Sequence, residues 1–185
     1  GKDRKGNMEL LMSLAEQYEY EVIPIDAFLS EDIAISSTRI RQLLQMGNIT
    51  AANALLGYSY NISGLVTKGD MIGRTIGFPT ANLVINEPIK LIPANGVYAV
   101  LVTIEGASAK KKGMMNIGIR PTVGGHEKRI EVNLFDFEGD LYGKHLTVEL
   151  IHHMRSEILF ENLDALKKQL AKDREHALTL LQSIH

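Results

Sequence analysis

A chain of 185 residues with 45% hydrophobic and 23% charged residues can bury the core of one large or two small domains, which excludes disorder of the whole. Its formal net charge of -2 supplies no global positive field for a polyanion, and the lack of cysteine excludes disulfides, thiolate catalysis and zinc-thiolate sites. No apolar run approaches the ~20 residues of a membrane span and the start does not read as a signal peptide, so the cytoplasm is the expected setting, with neither membrane nor nucleic acid as partner.

The first third carries helical signals. The chain starts at Gly1 in a polar run with no strand before it, as a fragment would. From Asn7, a fitting N-cap, apolar residues recur at Met8, Leu11, Leu14, Ala15 and Tyr18 with the helical period. A short strand is expected at "EVIPI", residues 21–25. Ser36 or Ser37 caps a second helix with Ile40, Leu43 and Leu44 on its inner face and Gly47 at C′; a third runs from Thr50 to Leu56 and stops at Gly57. The period then changes. "YNISGLVT", "GVYAVLVTI", "GMMNIGI", "RIEVNLFDF" and "HLTVELI" are rich in β-branched or aromatic residues with turn residues between them, and five or six such strands predict an antiparallel barrel. "AKKKG", residues 109–113, is expected to be a solvated hairpin tip. After His153 the helical period returns, with Leu163, Leu166, Leu170, Ala177 and Leu181 as the stripe of a long helix packed on the barrel. A boundary near Gly57 therefore divides an α-rich segment, 1–57, from a barrel with its helix, 58–185.

Three stretches have the residue types for chemistry. Gly69, Gly73 and Gly77 recur every four residues in "KGDMIGRTIGFPTAN", a spacing that is costly on a helix and useful on a loop. Such a loop lets backbone N–H groups approach phosphate oxygens, with Lys68 and Arg74 adding charge. A turn-rich hairpin fits the same glycines, and both G-x-x-x-x-G-K-[ST] and the protein-kinase motifs are absent. Thr80 and Asn82, two apart, share a face if "FPTANL" becomes a strand, which Pro79 can start but not interrupt. Their oxygens are hard, neutral ligands suited to Mg²⁺ accompanied by nucleotide phosphates; satisfying a turn is the plain alternative. In "RIEVNLFDF", Ile130, Val132 and Leu134 fall on one face, and Glu131, Asn133 and two phenylalanines on the other. A carboxylate among phenylalanines has a raised pKa, which suits a general base, whereas an exposed strand glutamate has no such role. His152 and His153 are adjacent and lack metal-binding spacing, so zinc readings fall away.

Taken together, "GLVTKGDMIGRTIGFPTANL", "IPANGVYAV", "NIGIRPTVGG", "RIEVNLFDFEGDLYG" and "MRSEILFENLDALKKQLAKD" resemble, in order and spacing, the riboflavin kinase module of bacterial bifunctional riboflavin kinase/FAD synthetases, from Tyr58 to Asp173. The resemblance implies a mainly-β fold, a six-stranded antiparallel Greek-key barrel with a C-terminal helix. It implies transfer of the γ-phosphate of ATP to the 5′-hydroxyl of riboflavin, giving FMN. Thr80 and Asn82 would then hold Mg²⁺ with the ATP phosphates, and the Gly69, Gly73 and Gly77 loop with Lys68 and Arg74 would fold over the nucleotide. Glu131 would be the general base, while Leu134, Tyr142 and Arg155 would line the flavin.

The front segment has a resemblance of its own. "GKDRKGN" is similar to an F-G-K-G-R-x-G stretch of the FAD synthetase nucleotidyltransferase domain, with Asp3 in place of the usual glycine. "ISSTRIR", residues 35–41, resembles that domain's late phosphate-contacting motif, and Ser36, Ser37, Thr38, Arg39 and Arg41 at a helix start would form an anion site. The domain's H-x-G-H-type motif is absent from the chain. Residues 1–57 are thus expected to be an α-rich remnant of a Rossmann-like adenylyltransferase domain, unable to make FAD alone although the parent protein would. Two binding modules stand against the enzyme. An oligonucleotide-binding barrel would use aromatic platforms and a basic groove, which 6% aromatic residues, no tryptophan and a negative net charge argue against. A barrel that only binds flavin leaves Thr80, Asn82 and Glu131 without a shared purpose.

Overall fold

A computed structural model of the chain describes residues 7–23, 29–30, 33–69, 71–122 and 125–182. The chain divides into two compact units, Gly1–Ile35 and Ser36–His185. In the first, α1 (Met8–Tyr18) starts where Asn7 accepts a hydrogen bond from the Leu10 amide at 2.9 Å, and it ends at Glu19 in the left-handed region. A two-stranded ladder, β1 (Leu29–Ser30) with β2 (Ile33–Ala34), follows and was not expected. Of the strand expected at "EVIPI", residues 21–23 are outside regular structure and 24–25 lie outside the described residues, as does "GKDRKG" at 1–6.

The second unit opens with α2 (Ser37–Gln45) and α3 (Ile49–Leu56). Gly47, at φ 77, reverses the chain between them; the Asn48 amide donates to the Leu43 carbonyl at 2.8 Å and Gly47 to Leu44 at 3.1 Å, which closes α2. Asn48 then caps α3, and Gly57, at φ 75, ends it. Next come β3 (Asn61–Thr67), a one-turn helix α4 (Ile72–Thr75), β4 (Ala81–Val84), β5 (Gly96–Ile104), β6 (Lys111–Thr122), β7 (Gly125–Leu134), β8 (His145–Arg155) and α5 (Leu163–Leu180). The last six strands close into an antiparallel barrel in the order β3-β4-β7-β6-β5-β8. Three hairpin-connected strands, β5 to β7, with β8 returning beside β5, form a Greek key.

Period-two alternation fills the barrel with side chains, among them Ile62, Val100, Val102, Met115, Val132 and Val148. Leu43 and Leu44 of α2 and Ile49 and Ala52 of α3 belong to the same cluster. Their packing sets the spatial division at residue 36. The domain reading with its boundary near Gly57 divides the chain where the helical period gives way to alternation instead, and is taken up below as a proposal. Tyr98 is fully buried inside; its hydroxyl donates to the Ala94 carbonyl, and burial pushes its pKa up to about 12.

A second cluster lies outside the barrel wall, where Val97, Ala99 and Leu101 of β5 and Phe135 meet Ala177 of α5 and Leu181 at its C-cap. The helix stripe is therefore as expected except at its start, where Leu163 is 53% exposed. The helix also begins later than expected. Strand β8 runs on to Arg155, and Asn162 supplies the cap by accepting from the Ala165 amide at 2.9 Å. Two register shifts against β5, at Val97/Tyr98 and Ala99/Val100, mark bulges in this ladder. In "AKKKG", Lys111 and Lys112 are strand residues opposite Val102 and Leu101, so the hairpin tip precedes them. Among the described residues no helix is long and apolar enough to cross a membrane.

Candidate active site

One row of directly paired residues crosses all six barrel strands: Thr67, Asn82, Glu131, Asn116, Val97 and Arg155, from β3 to β8. Opposed residues on neighbouring strands share a face, and Val97 packs in the cluster beneath α5, so the row is an outer one. Glu131 is thereby flanked by two amide side chains, Asn82 on β4 and Asn116 on β6.

Two cavities lie near this row, the first on its outer side and the second against core-facing residues such as Val66, Val132 and Leu134. The first, about 320 Å³, is lined by Glu131, Arg129, Asn116, Asn133 and Arg155, with apolar walls that include Met114, Phe160 and Leu166. The second, about 670 Å³, is lined by Arg74, Pro79, Thr80, Leu134, Asp140 and Tyr142 among others. Thr80 and Met71 border both. Thr80, expected on the nucleotide side, thus borders both spaces.

Strand β4 begins at Ala81, so Pro79 sits just ahead of it and Thr80 leads in. The glycine-rich segment is more ordered than an open loop. Met71 adopts φ 56, α4 makes one turn, and the Phe78 amide returns to the Gly73 carbonyl at 2.8 Å. This doubling back requires a glycine at 73, because a Cβ there would stand 2.2 Å from the Phe78 oxygen. A Cβ at Gly69 would lie 1.9 Å from Nδ2 of Asn82, so backbone lies directly on that amide. Asn82 consequently lines neither cavity, nor do Gly69, Gly77 and the exposed Lys68; Arg74 lines the second.

Glu131 does not share its cavity with the phenylalanines of its own stretch, Phe135 and Phe137. Nη1 of Arg129 is 3.4 Å from its carboxylate, and the side chain is 26% exposed. Phe135 lies just past the end of β7 and packs in the cluster under α5; Phe137 packs against the barrel core. The carboxylate has a guanidinium beside it and amides on the neighbouring strands, and the phenylalanines that share its cavity, Phe78 and Phe160, come from other parts of the chain.

The three residues expected to line one wall are divided. Leu134 and Tyr142 border the second cavity and Arg155 the first. Leu134 is three residues from Glu131, hence on the opposite strand face, while Arg155 ends the outer row. Arg155 is also clamped: Nε and Nη2 donate to Asp173 of α5 at 3.0 and 2.6 Å, and Gln169 donates to the same carboxylate at 2.9 Å. In the α2 motif, Ser36 caps the helix by accepting from the Arg39 amide at 3.2 Å, and Ser37 accepts from Arg41 at 3.3 Å; Thr38 is exposed beside them.

Asn116 and Asn133 escaped the reading of site residues. Alternation in "GMMNIGI" could have set Asn116 apart from the buried Met115 and Ile117, but its place beside Glu131 depends on strand register. Among the described residues there is no group of three or more His, Cys, Asp or Glu side chains able to hold a metal.

A closed, filled barrel bordered by two cavities that share Thr80 and Met71 is an architecture with room for two small molecules side by side. Residues 56–181 match the family model of riboflavin kinase, or flavokinase. Over 173 residues the chain is 42% identical to the bifunctional riboflavin kinase/FMN adenylyltransferase of Escherichia coli, covering 94% of this chain and 54% of that protein. The protein of the same description from Bacillus subtilis is 41% identical over 165 residues, covering 86% and 51%. Among solved structures, one described as a macrolide-efflux protein from Streptococcus pneumoniae has a TM-score of 0.81 at 40% identity, covering 90% of this chain and 54% of that one. The chain spans about half the length of the curated relatives it matches. It belongs to the riboflavin kinase family, and its barrel with α5 is the riboflavin kinase domain.

Proposed function

We propose that residues 58–185 transfer the γ-phosphate of ATP to the 5′-hydroxyl of riboflavin, giving FMN and ADP. The observation that carries this is the position of Thr80 at the junction of two cavities, one of which holds Glu131. The smaller cavity, with its apolar walls, suits a flat aromatic ring system and leads it to the carboxylate. The larger one, with Arg74 and Thr80, suits the nucleotide. In the reaction, Glu131 accepts the hydroxyl proton as the oxygen bonds to the γ-phosphorus. The bond from that phosphorus to the β–γ bridging oxygen breaks, and its electron pair leaves with ADP. Alignment and charge neutralisation do most of the remaining work.

Thr80 and Asn82 fit Mg²⁺ by their chemistry, as hard neutral oxygens for an ion whose charge the phosphates balance. When bound, the ion would supply charge neutralisation at those phosphates. Asn82 would meet it once the backbone at Gly69 lifts from its amide, and with Lys68, Gly73, Arg74 and Gly77 the segment would close over the nucleotide. The cytoplasm is the proposed setting, with small molecules rather than nucleic acid or membrane as partners.

Residues 1–57 are proposed to derive from an FMN adenylyltransferase domain, with Ser36, Ser37, Thr38, Arg39 and Arg41 from its phosphate motif. Support comes from the quoted motifs and from the alignment with the E. coli protein, which extends in front of the stretch that the kinase model covers. Incubation with riboflavin, ATP and Mg²⁺ tests the kinase reading: FMN and ADP should appear in equal amounts. RNA or DNA retained on a filter, with no FMN formed, would favour the binding module.

A further inference from the structure

We infer that Asn133 is a positioning residue that sets Thr80 relative to the carboxylate of Glu131; the inference rests on the kinase reading above. Strands β4 and β7 are paired at only two positions, Ala81 with Val132 and Asn82 with Glu131. The register would next bring Thr80 opposite Asn133 and then Pro79, which has no N–H to give, opposite Leu134, and neither pair forms. There the side chain of Asn133 takes over: it is only 6% exposed, and its Nδ2 donates to the Pro79 carbonyl at 2.7 Å.

That carbonyl belongs to the planar peptide that leads into Thr80. Holding its oxygen fixes the plane, and so the direction in which the Thr80 side chain leaves the backbone. Asn133 and Glu131 are two apart on β7 and line the same cavity, which Thr80 also borders. One rigid strand thus carries the carboxylate and, through a single hydrogen bond, the hydroxyl. Neighbours of Asn133 in the outer cluster, Met114 and Phe135, fill space with apolar groups. An amide at this place spends buried volume on a donor, which is useful only where an acceptor must be held.

Phosphoryl transfer makes such a tether matter, because a 1 Å misplacement far from the chemistry can cost about 10²-fold in rate. The test uses Asn133→Leu, which keeps the branching at Cγ, is somewhat larger and removes the donor, and Asn133→His, whose Nδ1 is as many bonds from Cα as Nδ2 of asparagine. Wild type and both variants are assayed for FMN formation, titrated with Mg-ADP by calorimetry and melted. For the leucine variant we expect kcat to fall roughly 10- to 100-fold, and KM for ATP and Kd for Mg-ADP to rise about 10-fold, with KM for riboflavin within about twofold. The histidine variant should recover most of both losses.

A merely structural asparagine would lower the melting temperature and the active fraction and leave KM for ATP and Kd for Mg-ADP unchanged; that result overturns the inference. So does equal impairment of the leucine and histidine variants. A wild-type chain that forms no FMN refutes the kinase reading instead, and the Mg-ADP titration then decides the role of Asn133 by itself.

Discussion

Glu131 is the residue on which the proposed chemistry depends most directly. Its replacement by alanine should lower turnover by roughly 10²–10⁴-fold, the range for loss of a general base, with a smaller effect on KM for ATP. Steady-state FMN formation measures this, and near-normal turnover would remove Glu131 from the mechanism. Tyr98 gives an expectation for pH. Burial raises its pKa from 10.0 to about 12, so the unfolded chain ionises first and the contribution of the buried phenol, complete below pH 10, is lost as pH rises toward 12. Thermal melts should fall in that window, and Tyr98→Phe should remove part of the fall at a cost of about 1 kcal/mol at neutral pH, from the lost bond to the Ala94 carbonyl. The outward placing of Glu131 was legible because alternation in "RIEVNLFDF" has period two. Its neighbours were not: Arg129 lies on the same face two residues back, and the amides opposite belong to other strands, which local pattern cannot align.

At the scale of elements, the glycine-rich segment and β8 show where local reading stops. Glycine spacing marked the segment as non-helical, yet a single turn, α4, forms inside it because the close return of Phe78 to Gly73 favours a compact path. Gly69→Ala should push the segment off Asn82, the arrangement in which that side chain is free to meet Mg²⁺, and lower KM for ATP several-fold, while the melting temperature stays within about 2 °C, since the change touches no core residue. A large loss of stability with normal ATP kinetics would show that the glycine serves the fold instead. In β8, "HLTVELI" announced a strand, but the two register shifts that carry it to Arg155 left no mark in the pattern. Leu134, Tyr142 and Arg155 were grouped on one wall by the resemblance, whereas the structure places Leu134 and Tyr142 at one cavity and Arg155 at the other.

For the whole molecule, the barrel was legible in the change from helical to alternating period, and the final helix in its leucine stripe. What α2 and α3 pack against was not, because an amphipathic helix declares a buried face without naming its partner. Deletion of residues 1–35 should leave the melting temperature within about 2 °C and preserve FMN formation, since the second unit keeps its entire core. Deletion of residues 1–57 also removes Leu43, Leu44 and Ile49, each worth about 1.5–3 kcal/mol of burial, and should cost about 5 kcal/mol or more by denaturant melts. Equal stability of the two truncations would contradict the packing. The row from Thr67 to Arg155 takes one residue from each of six strands, the last of them more than eighty residues after the first. Such a row does not exist in any half-built barrel. Catalysis therefore keeps time for folding: on dilution from denaturant, FMN production should return with the slowest step of closure, after helical signal has recovered, so that turnover reports the finished molecule and no intermediate.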